Sequence, residues 1–454
     1  MQSGYYVAIF GGSVAGAEAA SELARRGLRC VVFEQHALPY GKLESGLPKW
    51  HVHLRDRQER LIDEKLQSKG IEFVPLIRLG QDIDFESVCK TWGFSAILLA
   101  TGAWRDRPLP VSEFDRFIGK GFHYQNPFVN WFNHNHDPFY QGPQFVIPDK
   151  TIIIGGGLAS IDVAKIVMIE LVRKALQERG IERDVFALER RGIVTVLNEA
   201  GLSLTELGLA GCTLYTRQGI REMPLNTIPE NASQEEVEKA YESRQRIVEK
   251  LTEKYLFTIR ENRIAHKPIV RDDRLAGAVF QVTQTVNNQI IPVDGAYEEV
   301  YTPLLISAIG SIPEQIKGLP LKGEIYDVQD VETGKIKGYD HVFALGNAVT
   351  GRGNIKQSQT HGRQVSENIV DQYFAWQEED YQEIFTAATE RVDQRLQSIG
   401  EQLQKTKPLS AEQIQKIQDK IKQLQQRVGY DGNYPQWIQK HLPVRLEYLL
   451  NQEQ

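Results

Sequence analysis

Two stretches of the chain share one pattern. Tyr5-Tyr6-Val7-Ala8-Ile9-Phe10 runs into Gly11-Gly12-Ser13-Val14-Ala15-Gly16, and Thr151-Ile152-Ile153-Ile154 runs into Gly155-Gly156-Gly157-Leu158-Ala159-Ser160. Each reads as a strand, a tight glycine turn and the start of a helix. Unbroken apolar strands suit a parallel sheet covered on both faces, and the helix after each turn supplies the cover. The chain is therefore expected to be an α/β protein with two Rossmann-like dinucleotide-binding domains, extended by helices at its C-terminal end.

The flanking sequence fills out both units. In the first, Ala17 to Arg26 is helical, Gly27 stops it, Arg29 to Glu34 is the next strand, and a buried strand Ala96 to Ala100 ends in Thr101-Gly102. In the second, a helix is expected from Leu158 to Arg179, with a strand over Asp184 to Glu189. Leu304 to Ile309 forms a third strand-to-glycine junction at Gly310, and His341 to Leu345 a fourth at Gly346-Asn347. The expected organisation is a first domain over 1–145 that resumes over 316–375, a second inserted at 146–315, and a helical region over 376–454. In that region Val392, Leu396, Ile399 and Leu403 form one apolar stripe, and Ile414, Ile417, Ile421, Leu424 and Val428 another. Ser410 and Gln413 are placed as a capping box between them, which predicts an antiparallel helical hairpin. An aromatic tail with Tyr430, Tyr434, Trp437 and Tyr448 is expected to dock on the body.

Composition removes several functions. A net charge of −6 offers no whole-molecule attraction to nucleic acid or an anionic membrane. The three cysteines, Cys30, Cys89 and Cys212, are too far apart for a dithiol pair, a metal site or an iron–sulfur ligand set. Redox chemistry would thus need an added cofactor. No apolar run approaches the roughly 18 residues that span a bilayer, and no leader-like segment precedes Tyr5, so cytoplasmic residence is expected.

The first turn carries Ser13 at the middle glycine position of G-x-G-x-x-G, where a small side chain still lets the backbone approach a pyrophosphate. Gly11 allows the sharp turn and Gly16 close helix–strand packing, while Glu34, at the end of the second strand, is placed for an adenosine ribose. The second turn, Gly155-x-Gly157-x-x-Ser160, ends in a small residue, as sites that widen for a 2′-phosphate often do. Arg190 and Arg191, read as lying just past a strand, are placed to grip that phosphate and favour NADP over NAD. The alternative is that Glu189 binds an NAD ribose and the arginines are solvated. Two dinucleotide sites imply hydride exchange between nicotinamide and flavin, with FAD in the first.

With these features the chain resembles the two-dinucleotide-binding-domain flavoprotein reductases, most of all the adrenodoxin reductase/ferredoxin–NADP reductase group and the related glutamate synthase small subunit. Tyr40 to His51 resembles the group's Gly-rich segment ending in a histidine beside the flavin, Asn126 to Asn133 its aromatic segment, Gly157 to Lys165 its second turn and helix, and Arg190-Arg191-Gly192 its arginine pair. The resemblance implies a reductase that exchanges hydride between NADPH and FAD and single electrons with a ferredoxin-type iron–sulfur protein. It places His51, Asp162 and Glu206 near the flavin–nicotinamide contact. It implies nucleotide contacts at Gly11, Ser13, Ala15, Gly16, Glu34, Gly41, Leu43, Thr101 and Gly102 in the first unit, and at Gly155, Gly157, Leu158, Ala159, Ser160, Arg190, Arg191 and Gly310 in the second. Further flavin contacts fall at Gly346, Asn347, Gly353, Asn354 and Ile355. Asn347 departs from the Asp or Trp usual there. No metal site is implied.

For an acidic acceptor, His51, His53, Arg55, Arg57, Arg60, Arg105 and Arg107 are the candidate docking cations. Two further readings stay open: reduction of a small organic substrate with His51 or Glu206 as proton donor, and an electron-transfer subunit of a larger redox complex docked through the C-terminal helices. Buttressing of the fold is the favoured role for those helices.

Overall fold

The computed structural model describes residues 4–346, apart from 227, 229–231, 288, 331 and 332, and residues 369–452, apart from 405. Two parallel five-stranded sheets organise it. The first has β1 (Tyr6–Phe10) at its centre, flanked by β2 (Arg29–Phe33) and then β3 (Ile71–Val74) on one side, and on the other by β4 (Ala96–Leu99) and a late strand, Val342–Ala344. Val7 stands opposite both Cys30 and Ala96. Because side chains alternate along a strand, Val7 and Ile9 enter the core on one face while Tyr6, Ala8 and Phe10 enter that on the other. Helix α1 (Val14–Arg25) covers the first face together with α3 (Val52–Leu66), which follows the short α2 (Lys42–Ser45). Helix α4 (Phe85–Thr91) lies on the second face.

The second sheet has the order β5-β12-β6-β7-β8. These are β5 (Phe122–Tyr124), β6 (Ile152–Gly155), β7 (Thr213–Tyr215), β8 (Thr258–Arg260) and, after the antiparallel sheet β9 (Arg263–Arg271), β10 (Arg274–Val286) and β11 (Gln289–Tyr301), the returning β12 (Leu305–Ala308). Since β5 already belongs to it, the second unit recruits chain ahead of residue 146. Helix α5 (Gln125–His134) follows β5, and α6 (Leu158–Gln177) follows the second glycine turn, with Ile161 and the run from Val163 to Ile169 in its core. The two units are joined where Arg105–Asp106 pairs antiparallel with Ser311–Ile312.

Two expectations are corrected. The stretch from Asp184 to Glu189 is not a strand: Asp184 caps helix α7 (Val185–Arg191) by accepting the Ala187 N–H at 2.8 Å. The buried Val185 and Leu188 sit three apart, a helical spacing. A second short helix, α8 (Ile193–Glu199), follows, then the true neighbour of β6, β7. Helix α9 (Gln234–Tyr255) precedes β8.

The C-terminal helices α10 (Ile369–Gln404) and α11 (Ala411–Val428) do not form a self-packed hairpin. Val392, Leu396, Ile399 and Leu403 of α10 join the core on the α1 face of the first sheet, whereas Ile417, Ile421 and Leu424 of α11 join the core on the opposite face. The stripes lie where the sequence places them, but that of α10 packs against α1 and that of α11 on the opposite side of the first sheet. The Ser410–Gln413 capping box forms as the sequence predicts. Tyr430, Tyr434 and Trp437 are buried against the first domain, and Tyr448 is exposed. Among the described residues no helix is long and apolar enough to cross a membrane.

Candidate functional site

The first glycine turn is built by close approach. Gly11 has φ +102°, its N–H donates to the Phe33 carbonyl at 2.8 Å, and a Cβ on it would overlap the Ala100 carbonyl. A Cβ on Gly16 would overlap the Gly11 carbonyl. The turn thus brings α1 hard against the ends of β1 and β4, with no side chain capping the α1 N-terminus, an arrangement that leaves helix N–H groups and partial positive charge for an anion. Glu34 lies just beyond β2, 3% exposed. Its carboxylate accepts the Gly12 N–H at 2.7 Å and the His36 N–H at 3.0 Å, holding turn and strand end together. Ser13 Oγ donates to the Tyr40 carbonyl at 3.1 Å, so its hydroxyl fastens the Gly41 turn rather than facing outward. Leu43 is buried in the same core, and Thr101 Oγ lies 3.3 Å from the Tyr326 hydroxyl, beside Gly102. A Cβ on Gly346 would meet Ala15 at 3.3 Å, which places that residue over the start of α1. Asn347, Gly353, Asn354 and Ile355 lie outside the described residues.

The second turn repeats the plan. A Cβ on Gly155 would overlap Ser160 Cβ, and Ser160 Oγ donates to the Gly157 carbonyl at 2.6 Å. Gly157 and Gly310 face open space, Leu158 is half-buried and Ala159 is exposed, so the start of α6 is accessible. The strand beside β6 is β7, and Thr216-Arg217 comes directly after it. Thr216 Oγ is buried with no hydrogen-bond partner among the described residues, 3.1 Å from where a Gly156 Cβ would stand. Arg217 is exposed, its carbonyl held by Thr283 Oγ at 2.7 Å. Arg190 and Arg191, by contrast, end helix α7, and Arg191 pairs with Glu199. They are off the strand end on which their assignment rested. Sequence reasoning missed Thr216 and Arg217; the signal was the β-rich Thr213-Leu214-Tyr215 after Gly211, masked by the strand-like composition of 184–189.

His51 and Asp162 are both buried, and around His51 a charged cluster joins the two units. Lys165, fully buried on α6, donates to Glu189 at 2.9 Å and lies 4.6 Å over the Trp50 ring and 4.9 Å over that of Tyr255. The Tyr255 hydroxyl donates to the Glu189 carbonyl at 2.8 Å. Burial and then the Lys165 charge push the His51 imidazole down to about 3, against the opposing pull of Glu189. Burial works against the Glu189 carboxylate, yet the Lys165 ammonium outweighs it and holds the acid below its ordinary range. His51 is therefore a neutral imidazole across physiological pH. Glu206 does not join this cluster. It is exposed, with its carboxylate on Ser203 Oγ at 2.7 Å and its carbonyl on Arg179 at 2.8 Å. Arg179 lies past the C-terminal end of α6, about 25–30 Å along the helix from its first turn.

A cavity of about 490 Å³ opens beside the first turn, walled by Gly41, Lys42, Trp104, Asn126, His134 and, from the tail, His441. Helix α12 (Tyr434–His441) is pinned there by Trp437 Nε1 donating to the Ala37 carbonyl at 2.8 Å and by the Tyr434 hydroxyl donating to Asp63 at 2.7 Å. Arg445, 9% exposed, donates to Glu44 and to Glu59 at 2.9 Å each, and Arg55 pairs with Asp56 and Glu447. Arg445→Ala leaves two largely enclosed carboxylates facing each other and should cost about 3 kcal/mol. Burial pushes Glu59 up to about 7, with Arg445 opposing and Glu44 reinforcing. Between about 4.5 and 7 the folded chain keeps a proton that the unfolded chain has released, so this group's contribution to stability declines as pH rises through that window. Denaturation midpoints at pH 5 and pH 8 check both statements: the midpoint loss in Arg445→Ala should be larger at pH 8.

Of the candidate docking cations, His51 and Arg55 are buried and Arg107 pairs with Glu324 at 3.1 Å. His53, Arg57 and Arg60 are exposed at helical spacing on one face of α3, and Arg105 is exposed elsewhere.

Two glycine turns at the C-terminal edges of two parallel sheets, meeting across a buried junction, define a protein with two Rossmann-like dinucleotide-binding domains. Residues 5–201 match the family described as Pyridine nucleotide-disulphide oxidoreductase. A glutamate synthase [NADPH] small chain from Mycobacterium tuberculosis (strain ATCC 25618 / H37Rv) is 33% identical over 168 residues, 35% of this chain and 33% of that protein. The mitochondrial NADPH:adrenodoxin oxidoreductase of Arabidopsis thaliana is 26% identical over 362 residues, 71% and 72% of the two chains. The match thus spans about a third of the glutamate synthase small chain. Among solved structures, Mycobacterium tuberculosis FprA in complex with NADPH superposes with a TM-score of 0.64 at 16% identity, covering 93% of this chain and 91% of that one, and so shares the fold.

Proposed function

We propose that the chain is a FAD-dependent NADPH oxidoreductase that passes electrons to an iron–sulfur carrier of the ferredoxin type. The observation that carries this reading is a pair of glycine turns, each opening a helix whose N-terminus no side chain caps, α1 and α6, in two units that meet at a buried junction containing His51. The residues fit both groups. For FAD, the turn at Gly11 to Gly16 would take the pyrophosphate and Glu34 the ribose, with Gly41, Leu43, Thr101, Gly102 and Gly346 around them. For NADP, the open turn at Gly157 and the accessible start of α6 would take the pyrophosphate. The buried Thr216 hydroxyl, unpartnered among the described residues, and Arg217 would take the adenosine ribose and its 2′-phosphate, replacing Arg190 and Arg191 in that role. When bound, the flavin supplies hydride acceptance and single-electron release.

The chain's own part is positioning. His51, Trp50 and the Lys165–Glu189 pair fix the junction where the two rings would meet and keep water from it; Asp162 is buried in the second turn of α6. With Glu206 at the far end of α6, no proton donation from it is part of the reading. The relatives, a glutamate synthase [NADPH] small chain and an NADPH:adrenodoxin oxidoreductase, support NADPH as the nucleotide and an adrenodoxin-type protein as partner. The exposed face of α3 carrying His53, Arg57 and Arg60 suits an acidic carrier. Both C-terminal helices bury their apolar stripes against the chain itself, which favours the buttress over a docking element for a larger complex.

The test is a visible spectrum of the purified protein under anaerobic conditions, before and after NADPH and then NADH. Flavin bands that bleach faster with NADPH are expected. A colourless protein that does not take up added FAD overturns the reading.

A further inference from the structure

Lys42 stands at the junction of the two units. It belongs to the first-domain turn, yet its Nζ donates to Ser311 Oγ at 2.8 Å and to Asn126 Oδ1 at 3.1 Å, both on the side of the second unit. Both acceptors are neutral. Asp106 attracts it through space, but that carboxylate accepts the Asn126 N–H at 3.2 Å and forms no ion pair with Lys42 among the described residues. Burial pushes the Lys42 ammonium down to about 8 and the Asp106 carboxyl up to about 6. The other titratable groups on the cavity wall are Glu44, His36, His134 and His441. A desolvated ammonium held by two neutral oxygens is stabilised by any anion brought against it, and the cavity is the space from which one would come.

We propose that Lys42 is the cation that meets the negative charge placed on the flavin ring when it is reduced, and that it thereby sets the ring's potential. The inference rests on FAD occupying the first site. A pyrophosphate at the start of α1 would lie beside Ser13, and a Gly41 Cβ would stand 2.9 Å from Ser13 Oγ. Lys42 is the next residue and reaches away from that turn toward the second unit, where a ring must lie to exchange hydride with nicotinamide. A hydride from NADPH carries two electrons and one proton, so the reduced ring gains one negative charge, concentrated along its N1–C2=O edge; a fixed cation there favours the reduced form over the oxidised one.

The experiment uses the full chain loaded with FAD. Lys42→Met removes the charge; Lys42→Gln removes it while keeping a donor for Asn126 and Ser311, in case the methionine variant fails to fold; Lys42→Arg restores a cation. Each is measured for FAD stoichiometry, for FAD affinity in the oxidised state and for midpoint potential against a reference dye. Lys42→Gln should keep its FAD but favour the reduced form at least tenfold less than the unsubstituted chain, which for a two-electron couple is a potential about 30 mV more negative, and Lys42→Arg should recover most of the difference. Unchanged potential with FAD retained overturns the inference. So does an equal loss of affinity in both redox states, which would mean that Lys42 grips a phosphate instead. A chain that binds no FAD before any substitution fails the underlying reading itself.

Discussion

Gly16→Ala is expected to yield a protein that unfolds about 2–3 kcal/mol more easily and is purified without flavin. The added Cβ would overlap the Gly11 carbonyl, which belongs to the turn itself, so relief requires α1 to lift from β1. Lifting α1 displaces its N-terminus from the turn and with it the N–H groups that would face a pyrophosphate. Gly27 is the comparison: it has φ +84° and nothing near its Cβ position, so Gly27→Ala carries only backbone strain of about 1 kcal/mol and keeps its flavin. Thermal unfolding and the ratio of flavin absorbance to protein absorbance measure both variants. A Gly16→Ala protein with an unchanged midpoint and a full complement of flavin would show that the turn tolerates a side chain and that the first site has been misread.

The second large effect concerns nucleotide choice. Arg217→Ala is expected to weaken NADPH by roughly 10- to 100-fold, the worth of about 1.5–3 kcal/mol for a charge-assisted hydrogen bond to a phosphate, while leaving NADH within about twofold. The argument is topological. In a parallel sheet with a glycine turn after one strand, the adenosine ribose lies past the end of the neighbouring strand, and here that neighbour is β7, followed by Thr216 and Arg217. Arg190→Ala and Arg191→Ala should leave both nucleotides within about twofold, since these side chains end an α-helix and Arg191 is occupied by Glu199. Binding titrations with NADPH and NADH decide between the two pairs; loss of NADPH selectivity in Arg190→Ala alone would return the role to the helix.

Much of this architecture is written locally. Unbroken apolar strands followed by glycine turns specify both parallel sheets, because the signal lies within a dozen residues of each turn and reflects burial on two faces. Gly11, Gly16, Glu34, Gly155 and Ser160 stand in the turns or strand ends where the sequence places them. Features set by non-local competition were not legible. Val185 to Glu189 has a composition that fits strand or helix, and an Asp184 cap with burial at three-residue spacing selects the helix. That single change of element moves the 2′-phosphate assignment by more than two dozen residues of chain. The two C-terminal stripes are legible as apolar faces but not as to partner, because a stripe does not specify which surface covers it. His51 is singled out by family resemblance; its enclosure by Trp50, Lys165 and Glu189 from other elements has no sequence signature. Glu206 is drawn in by a local likeness that the length of α6 overrules.

The distribution of the two sheets along the chain sets an order for biogenesis. All five strands of the second sheet lie between Phe122 and Ala308, a contiguous run that emerges from the ribosome as a unit. The first sheet spends its opening residues early and acquires its edge strand only at Val342–Ala344, its helical cover over 392–424, and the pairing of the Gly4 carbonyl with the Leu409 N–H later still. Closure of loops this long is slow and leaves apolar strands uncovered while synthesis continues. Under the proposed function, prosthetic-group loading at the first turn would accordingly be a late, post-translational event, and nascent chains stalled before residue 392 would be clients for chaperones rather than apoenzyme awaiting its flavin.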